Sequence, residues 1–256
     1  MLSRILAVSL AAGALAGLLS SGIQHFVTVP LIIKAESYEK ADETPAHIQS
    51  GSWEFNGARV VLAHNHAPAD GDQHEVGAWE PADGLERTAY TSLATVGTAV
   101  GFSLILLAAM LASGVPVTAR SAAMWGLGAF IATGLAPGLG LPPEIPGSAA
   151  AELLPRQIWW ISTAAATAAG IWLLFQREQL HFIVAAFALI AAPHLIGAPH
   201  AAAFQSTAPA ELAGHFASAS LAVQAILWTS VGALAGLFWQ NGFAAGRHPG
   251  LAETQA

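Results

Sequence analysis

The residues best suited to chemistry are histidines set beside helix-breaking residues. The stretch APHLIGAPH, Ala192 to His200, places Pro193, Gly197 and Pro199 next to the imidazoles of His194 and His200. Imidazole nitrogen binds borderline divalent metal ions, and proline opens the backbone ladder of a helix where ligands can then converge. For His194 a cross-linking role between helices is the plain alternative. A second source lies upstream, where HNHAPADGDQHE supplies His64, His66, Asp70, Asp72, His74 and Glu75, with His47 before it. These side chains could collect metal ions outside a membrane. A solvated loop with incidental histidines is the rival reading, because a histidine-rich tract is only a compositional signal. His25 and His215 complete the metal candidates, while His181 and His248 read as interfacial and inert. With no cysteine in the chain, disulfides, thiolate metal sites, iron–sulfur clusters and cysteine nucleophiles are excluded.

The elements that must position these groups are membrane helices. Of 256 residues, 54% are hydrophobic and 10% charged, against roughly 25% charged in soluble domains. The chain therefore reads as an all-α integral membrane protein. About six transmembrane helices are expected, or five if the first is cleaved as a signal peptide at Ala14-Leu15-Ala16. Residues 1–33 form the first span. Residues 34–87 form an acidic, histidine-bearing extracytoplasmic loop, 88–239 a five-helix bundle and 240–256 a cytoplasmic tail. Eleven of the sixteen acids fall in that loop and account for the net charge of -7, so nucleic acid is not an expected partner. Arg4, Arg120, Arg177 and Arg247 then lie on one side, which places both termini in the cytoplasm.

The expected spans carry a recurring pattern. Asp83 precedes Arg87, Glu152 precedes Arg156 and Glu211 precedes His215, each by four residues. That spacing faces an acid to a base on one helical surface, with the acid at the positive end of the helix dipole. The outgoing spans end at Pro30, Pro137 and Pro193, followed six or seven residues later by Glu36, Glu144 and His200. Three helical hairpins with proline-broken outgoing helices and acid-capped returning ones are expected, their outer mouths converging on one axis. Ordinary enrichment of acids at outer helix starts would give part of this pattern without any repeat.

The motifs PLIIKAESYE (Pro30 to Glu39), GLPPEIPG (Gly140 to Gly147), RQIWW (Arg156 to Trp160), PHLIGAP (Pro193 to Pro199) and PAELAGHFASASL (Pro209 to Leu221) together resemble the CbtA family of cobalt transporter subunits. The resemblance implies a non-enzymatic bacterial cytoplasmic-membrane component for cobalt uptake in support of cobalamin supply. It implies cobalt(II), or nickel(II), as the transported ligand with no permanently bound cofactor. It also implies a small one-span, histidine-bearing CbtB-type subunit as partner, besides the metal ion and the lipid bilayer, with a homo-oligomer left open. The family is commonly described with five spans, one fewer than the count above. No glycine-rich phosphate loop ending in Gly-Lys-Ser or Gly-Lys-Thr is present, so uptake would draw on a gradient, the membrane potential or a partner. Two further readings remain open at this stage, a haem-binding oxidoreductase subunit with His194 as an axial ligand and a non-transporting scaffold.

Overall fold

A computed structural model of the chain describes residues 1–43, 54–55, 58–59, 81–82, 84–176, 178–201 and 206–243. Among the described residues the regular structure is helical apart from a two-residue antiparallel pairing of Glu54–Phe55 with Ala58–Arg59 and a single backbone bridge between Ser148 and Ser206. The helices are α1 (Leu2–Val27), α2 (Val29–Glu43), α3 (Leu85–Ala112), α4 (Ala119–Phe130), α5 (Ala136–Gly138), α6 (Leu153–Gln176), α7 (Leu180–Ile196) and α8 (Ala210–Gln240), with a π-helical segment Ile131–Leu135 between α4 and α5.

Four helices among the described residues are long and apolar enough to cross a membrane, namely α1, α3, α6 and α8. Of the six expected spans, these four qualify on length and composition. The expected fifth span, α7, has 17 residues and falls short of the ~20 that a ~30 Å hydrocarbon core requires. The expected third span is one helical run from Ala119 to Gly138 whose winding changes to π at Ile131.

Helix α8 lies at the centre, packed along α4 on one side and α1 on the other, with α3 closing the group. Small residues set these contacts. An added Cβ would lie 2.1 Å from Ala122 O at Gly232, 2.2 Å from Thr118 O at Gly236 and 2.3 Å from Trp228 O at Gly126. Those contacts run in opposite directions along α4 and α8, one turn apart, so the two backbones touch along an antiparallel seam. On α1, Gly13 and Gly17 meet the backbone of α3 at Val100 and Val96 in the same way. Each side of the group is held by the same six residues, GALAGL, at Gly13–Leu18 and Gly232–Leu237. Lipid tails are as apolar as leucine, so close backbone approach and dispersion replace the hydrophobic effect as the source of association. The first of these copies contains Ala14-Leu15-Ala16, the tripeptide that resembles a cleavage site, and Ala16 is fully buried in the core beside Ala99 and Val231.

Several expectations are corrected here. The polar segment starting at Lys34 continues as helix to Glu43, because Pro30 occupies the first turn of α2, where its missing N–H costs nothing. Of the other two prolines, Pro137 stands one residue before its helical run ends at Gly138, as expected, whereas Pro193 does not end its span. Pro137 is buried within α5, and Pro193 lies inside α7, which terminates instead at Gly197 with φ +90°. That left-handed backbone is open to glycine and strained for other residues. The third expected hairpin is not formed, since α7 packs along α6 rather than α8. Gly170 receives Ile190 and the Ala186 carbonyl, whereas the small-residue faces of α8 are already occupied by α4 and α1. A shared threefold arrangement therefore does not extend to α7 and α8.

Candidate functional site

The C-terminal ends of α1 and α7 and the N-terminal ends of α3, α6 and α8 lie toward one end of the bundle, called here the loop face. Three sequence motifs meet there in one buried cluster. Ala35 from α2, Ile145 from the segment before α6, and Ala208 with Leu212 from the start of α8 pack together, with Tyr38 and Phe216 against them. The segment before α6 is pinned to the segment before α8 by a backbone pairing of Ser148 with Ser206 and by Thr207 N–H donating to Gly147 O at 3.3 Å. Gly147 has φ +75° and lies so close to Thr207 Oγ1 that a Cβ would sit 2.1 Å away.

Two ion pairs stand on this face. Arg87 at the start of α3 donates from Nη1 to Glu36 Oε2 at 3.0 Å and from Nη2 to Glu36 Oε1, a two-pronged bond across the mouth between α2 and α3. Arg156 at the start of α6 donates to Glu144 Oε2 at 2.8 Å. For Arg156 the side-chain partner is therefore Glu144 and not the expected Glu152 four residues upstream. Glu152 stands just before the first residue of α6 and its carbonyl accepts from Arg156 N–H at 3.3 Å, while the Arg156 side chain turns to Glu144 instead. Asp83 lies outside the described residues. In α3 the first-turn acid is Glu86, whose Oε2 accepts from Ala82 N–H at 3.3 Å. Glu211 does occupy the first turn of α8, but Pro209 makes no side-chain capping bond there.

His194 is positioned by Trp159. The buried indole donates from Nε1 to Pro193 O at 3.2 Å, and the His194 ring meets it edge-on with centroids 5.9 Å apart. Gly140 makes room for the indole, since a Cβ there would lie 2.5 Å from the Trp159 ring and 2.9 Å from Ala198 Cβ. RQIWW, GLPPEIPG and PHLIGAP are thus locked together around one tryptophan. His194 remains partly exposed, while His25, His200 and His215 are exposed. His25 stacks edge-on against Phe26, and the His215 carbonyl accepts from Ser218 Oγ at 2.9 Å.

The structure brings Glu36 to Arg87, Glu144 to Arg156, and His194, Pro193 and Ala198 to Trp159. It does not bring the candidate metal ligands together: among the described residues no group of three or more His, Asp or Glu side chains could hold an ion. His64, His66, Asp70, Asp72, His74 and Glu75 lie outside the described residues.

A feature absent from the sequence reasoning is a cavity of about 710 Å³ between the π-helical segment, α6 and α8. Its walls include Thr133, Gly134, Gln157, Trp160, Leu221 and Gln224, with Glu144 and Arg156 at the mouth. Gln224, at the middle of α8, was the legible signal, being a polar side chain deep in an apolar span.

No curated protein and no solved structure matches the chain. A family model described as "Probable cobalt transporter subunit (CbtA)" matches residues 2–240. With that match running from the first apolar helix to the last residue of α8, and with four apolar helices that make it an integral membrane protein, the chain belongs to the CbtA family of cobalt transporter subunits.

Proposed function

We propose that the chain is the permease subunit of a cobalt uptake system in a bacterial cytoplasmic membrane, supplying metal for cobalamin synthesis. The observation that carries this reading is the family match across 2–240, joined to the convergence of the family-like motifs on one face of an apolar bundle. The loop face is taken as extracytoplasmic and both termini as cytoplasmic. Arg4 supports this placement. It donates to Trp239 O, and its guanidinium stacks 4.1 Å over the Trp239 ring, so a positive charge is held between the two ends of the chain. In this reading the run Ala119–Gly138 and α7 also cross, giving six passages. The short α7 is accommodated by local thinning of the bilayer or by a partner helix at its side.

Glu152 and Glu211 form an attractive rim, beside Glu36 and Glu144, whose charges are balanced by Arg87 and Arg156. His194 with His200 and His215 passes the ion inward, and His25 with the loop residues His64, His66, His74, Asp70, Asp72 and Glu75 gathers it. Imidazoles that do not close a cage suit capture followed by release, because a permeation site must be weak enough for the ion to leave. An inside-negative potential favours inward movement of a divalent cation by ~4.6 kcal/mol per 100 mV, twice the single-charge value. A small one-span histidine-bearing subunit of the CbtB type is the proposed partner.

The test is cobalt and nickel accumulation in cells with and without the chain and that partner. Cobalt gain that depends on this chain, and that His194→Ala abolishes without lowering membrane expression, supports the reading. Unchanged uptake in His194→Ala removes that residue from the path. Absence of any metal gain removes the permease role.

A further inference from the structure

The cavity beside the π-helical segment is lined by several polar side chains, of which Gln224 lies deepest within its helix. Gln224 is the 15th of the 31 residues of α8, so at 1.5 Å per residue it lies roughly 21 Å from the start of that helix. Its carboxamide oxygen sits over the backbone of Gly134, where an added Cβ would come within 2.4 Å of it. Thr133, the neighbour of Gly134 in the π segment, donates from Oγ1 to Ala129 O at 2.8 Å, which leaves its lone pairs available. Gln157 is exposed on the α6 wall of the same cavity.

The usual role of a glutamine inside a membrane bundle is to join two helices by a hydrogen bond. Gln24 does this in the same chain, accepting from Thr95 Oγ1 at 3.0 Å. Gln224 and Gln157 do not: neither has a hydrogen-bond partner among the described residues. A polar side chain in an apolar span that links nothing has a cost without a structural return, and such groups mark ion or substrate paths. The winding change points the same way. Broken or irregular helices near mid-depth, facing a water-filled cavity, are where transporters place cation sites. The π segment at Ile131–Leu135 is an irregularity of this kind, set in the loop-face third of the run from Ala119 to Gly138 and followed by the buried Pro137 with no N–H to offer the preceding turn.

We propose that this cavity is the passage of the divalent cation through the bundle, with the Gln224 and Gln157 carboxamide oxygens and the Thr133 hydroxyl as successive neutral ligands. The cavity lining holds no carboxylate below Glu144, whose charge is balanced by Arg156 at the mouth. The cation therefore crosses on neutral oxygens after leaving the imidazoles of the loop face. Six waters at ~30 Å³ each occupy about 180 Å³, so a cavity of about 710 Å³ admits the ion with its hydration shell intact. Carboxamide and hydroxyl oxygens then exchange with individual waters, and the weak field of neutral ligands lets the ion go.

This inference rests on the cobalt-carrying reading above, and the experiment separates the two. Because the chain has no cysteine, Gln224→Cys and Thr133→Cys are single-thiol proteins as made. Ile226→Cys, on the lipid-facing side of α8, is the control. In cells expressing the full chain with its partner subunit, a charged, membrane-impermeant thiol reagent should label Gln224→Cys and spare Ile226→Cys. Cobalt chloride should slow that labelling. Gln224→Leu should lower cobalt accumulation by about tenfold or more, the loss expected when one oxygen bond to a charged group is removed. Gln224→Asn, which keeps the carboxamide, should retain part of the flux. Gln224→Cys as inert as the control, labelling indifferent to cobalt, or Gln224→Leu transporting like the parent would each overturn the passage. If the parent chain accumulates cobalt in those cases, the proposed function stands without it. A parent chain that gains no cobalt removes the function and, with it, the cargo named for this cavity.

Discussion

Gly232→Ala strikes the α4–α8 seam at its closest backbone contact. The new Cβ would sit 2.1 Å from Ala122 O, against an ordinary contact of roughly 3.5 Å, so α4 and α8 must separate by about 1.4 Å at that point. The obstacle is a backbone carbonyl within a helix and cannot rotate away. The two adjoining contacts, Gly236 with Thr118 and Gly126 with Trp228, resist a local bulge and pass the displacement along the seam. Overpacking of this kind costs about 1–3 kcal/mol. For a chain of this size each kcal/mol lowers the melting temperature by about 2–4 °C, so a fall of roughly 2 to 12 °C is expected. The control is Gly101→Ala, where nothing lies within 4 Å of the added Cβ and the better helix propensity of alanine favours the change by about 0.5–1 kcal/mol. Thermal unfolding of the two detergent-solubilised variants, followed by tryptophan fluorescence at one scan rate, should place Gly232→Ala below the parent and Gly101→Ala at or above it. Coincident melting curves for the two variants would refute the seam as the origin of the α4–α8 association. Gln224 lies two turns from Gly232 on the same helix, so cobalt accumulation should fall in step with stability in Gly232→Ala.

Three further outcomes follow from the loop face. Removing either charge of the Glu36–Arg87 pair, by Glu36→Gln or Arg87→Gln, should destabilise the chain more than the double substitution does. The pair is roughly a quarter exposed, and the cycle should give a coupling of about 0.5–1 kcal/mol; additive effects would deny the bond any energetic role. Trp159→Phe deletes the donor to Pro193 O, at a cost of about 0.5–1.5 kcal/mol. Because that carbonyl also accepts from Gly197 N–H at 3.1 Å, α7 should loosen without unwinding. Hydrogen exchange at Leu195 to Gly197 should accelerate, and unchanged exchange would mean that the indole does not hold the turn. Gly197→Ala forces a left-handed backbone on a residue with a Cβ, costing about 1–2 kcal/mol. It should shift His200 and reduce cobalt uptake while leaving the α4–α8 seam intact, whereas full uptake would separate the α7 terminus from the path.

Much of the loop face was legible because its signals are local. Gly197 and Pro193 act within a few residues of the turn they shape, and the motifs bearing them stand out as sets, whereas the bond from Trp159 to Pro193 O crosses 34 positions of chain and was not legible. The ion-pair partners were not legible. Arg87 lies four residues from Asp83, yet it reaches Glu36 across 51 positions of chain, since the approach of α2 to α3 is decided by contacts far from either residue. The proline signal was overread for a related reason. Pro30 does stand just after the break between α1 and α2 at Thr28, whereas a proline near the end of α7 costs little and Pro193 does not break that helix.

Composition alone determined that this chain lives in a membrane, because the free energy of burying apolar helices in lipid is a sum over residues and does not depend on how they pack. Local pattern determined where polar ends stand and which family the chain belongs to. Only the tertiary structure decided which helix lies beside which. With no hydrophobic drive between helices in lipid, neighbours are chosen by the fit of small-residue faces, and α8 has two such faces while α7 packs along α6. That choice brings Gln224 over Gly134 and opens the cavity beside the π segment, a juxtaposition of residues ninety positions apart that interhelical register sets.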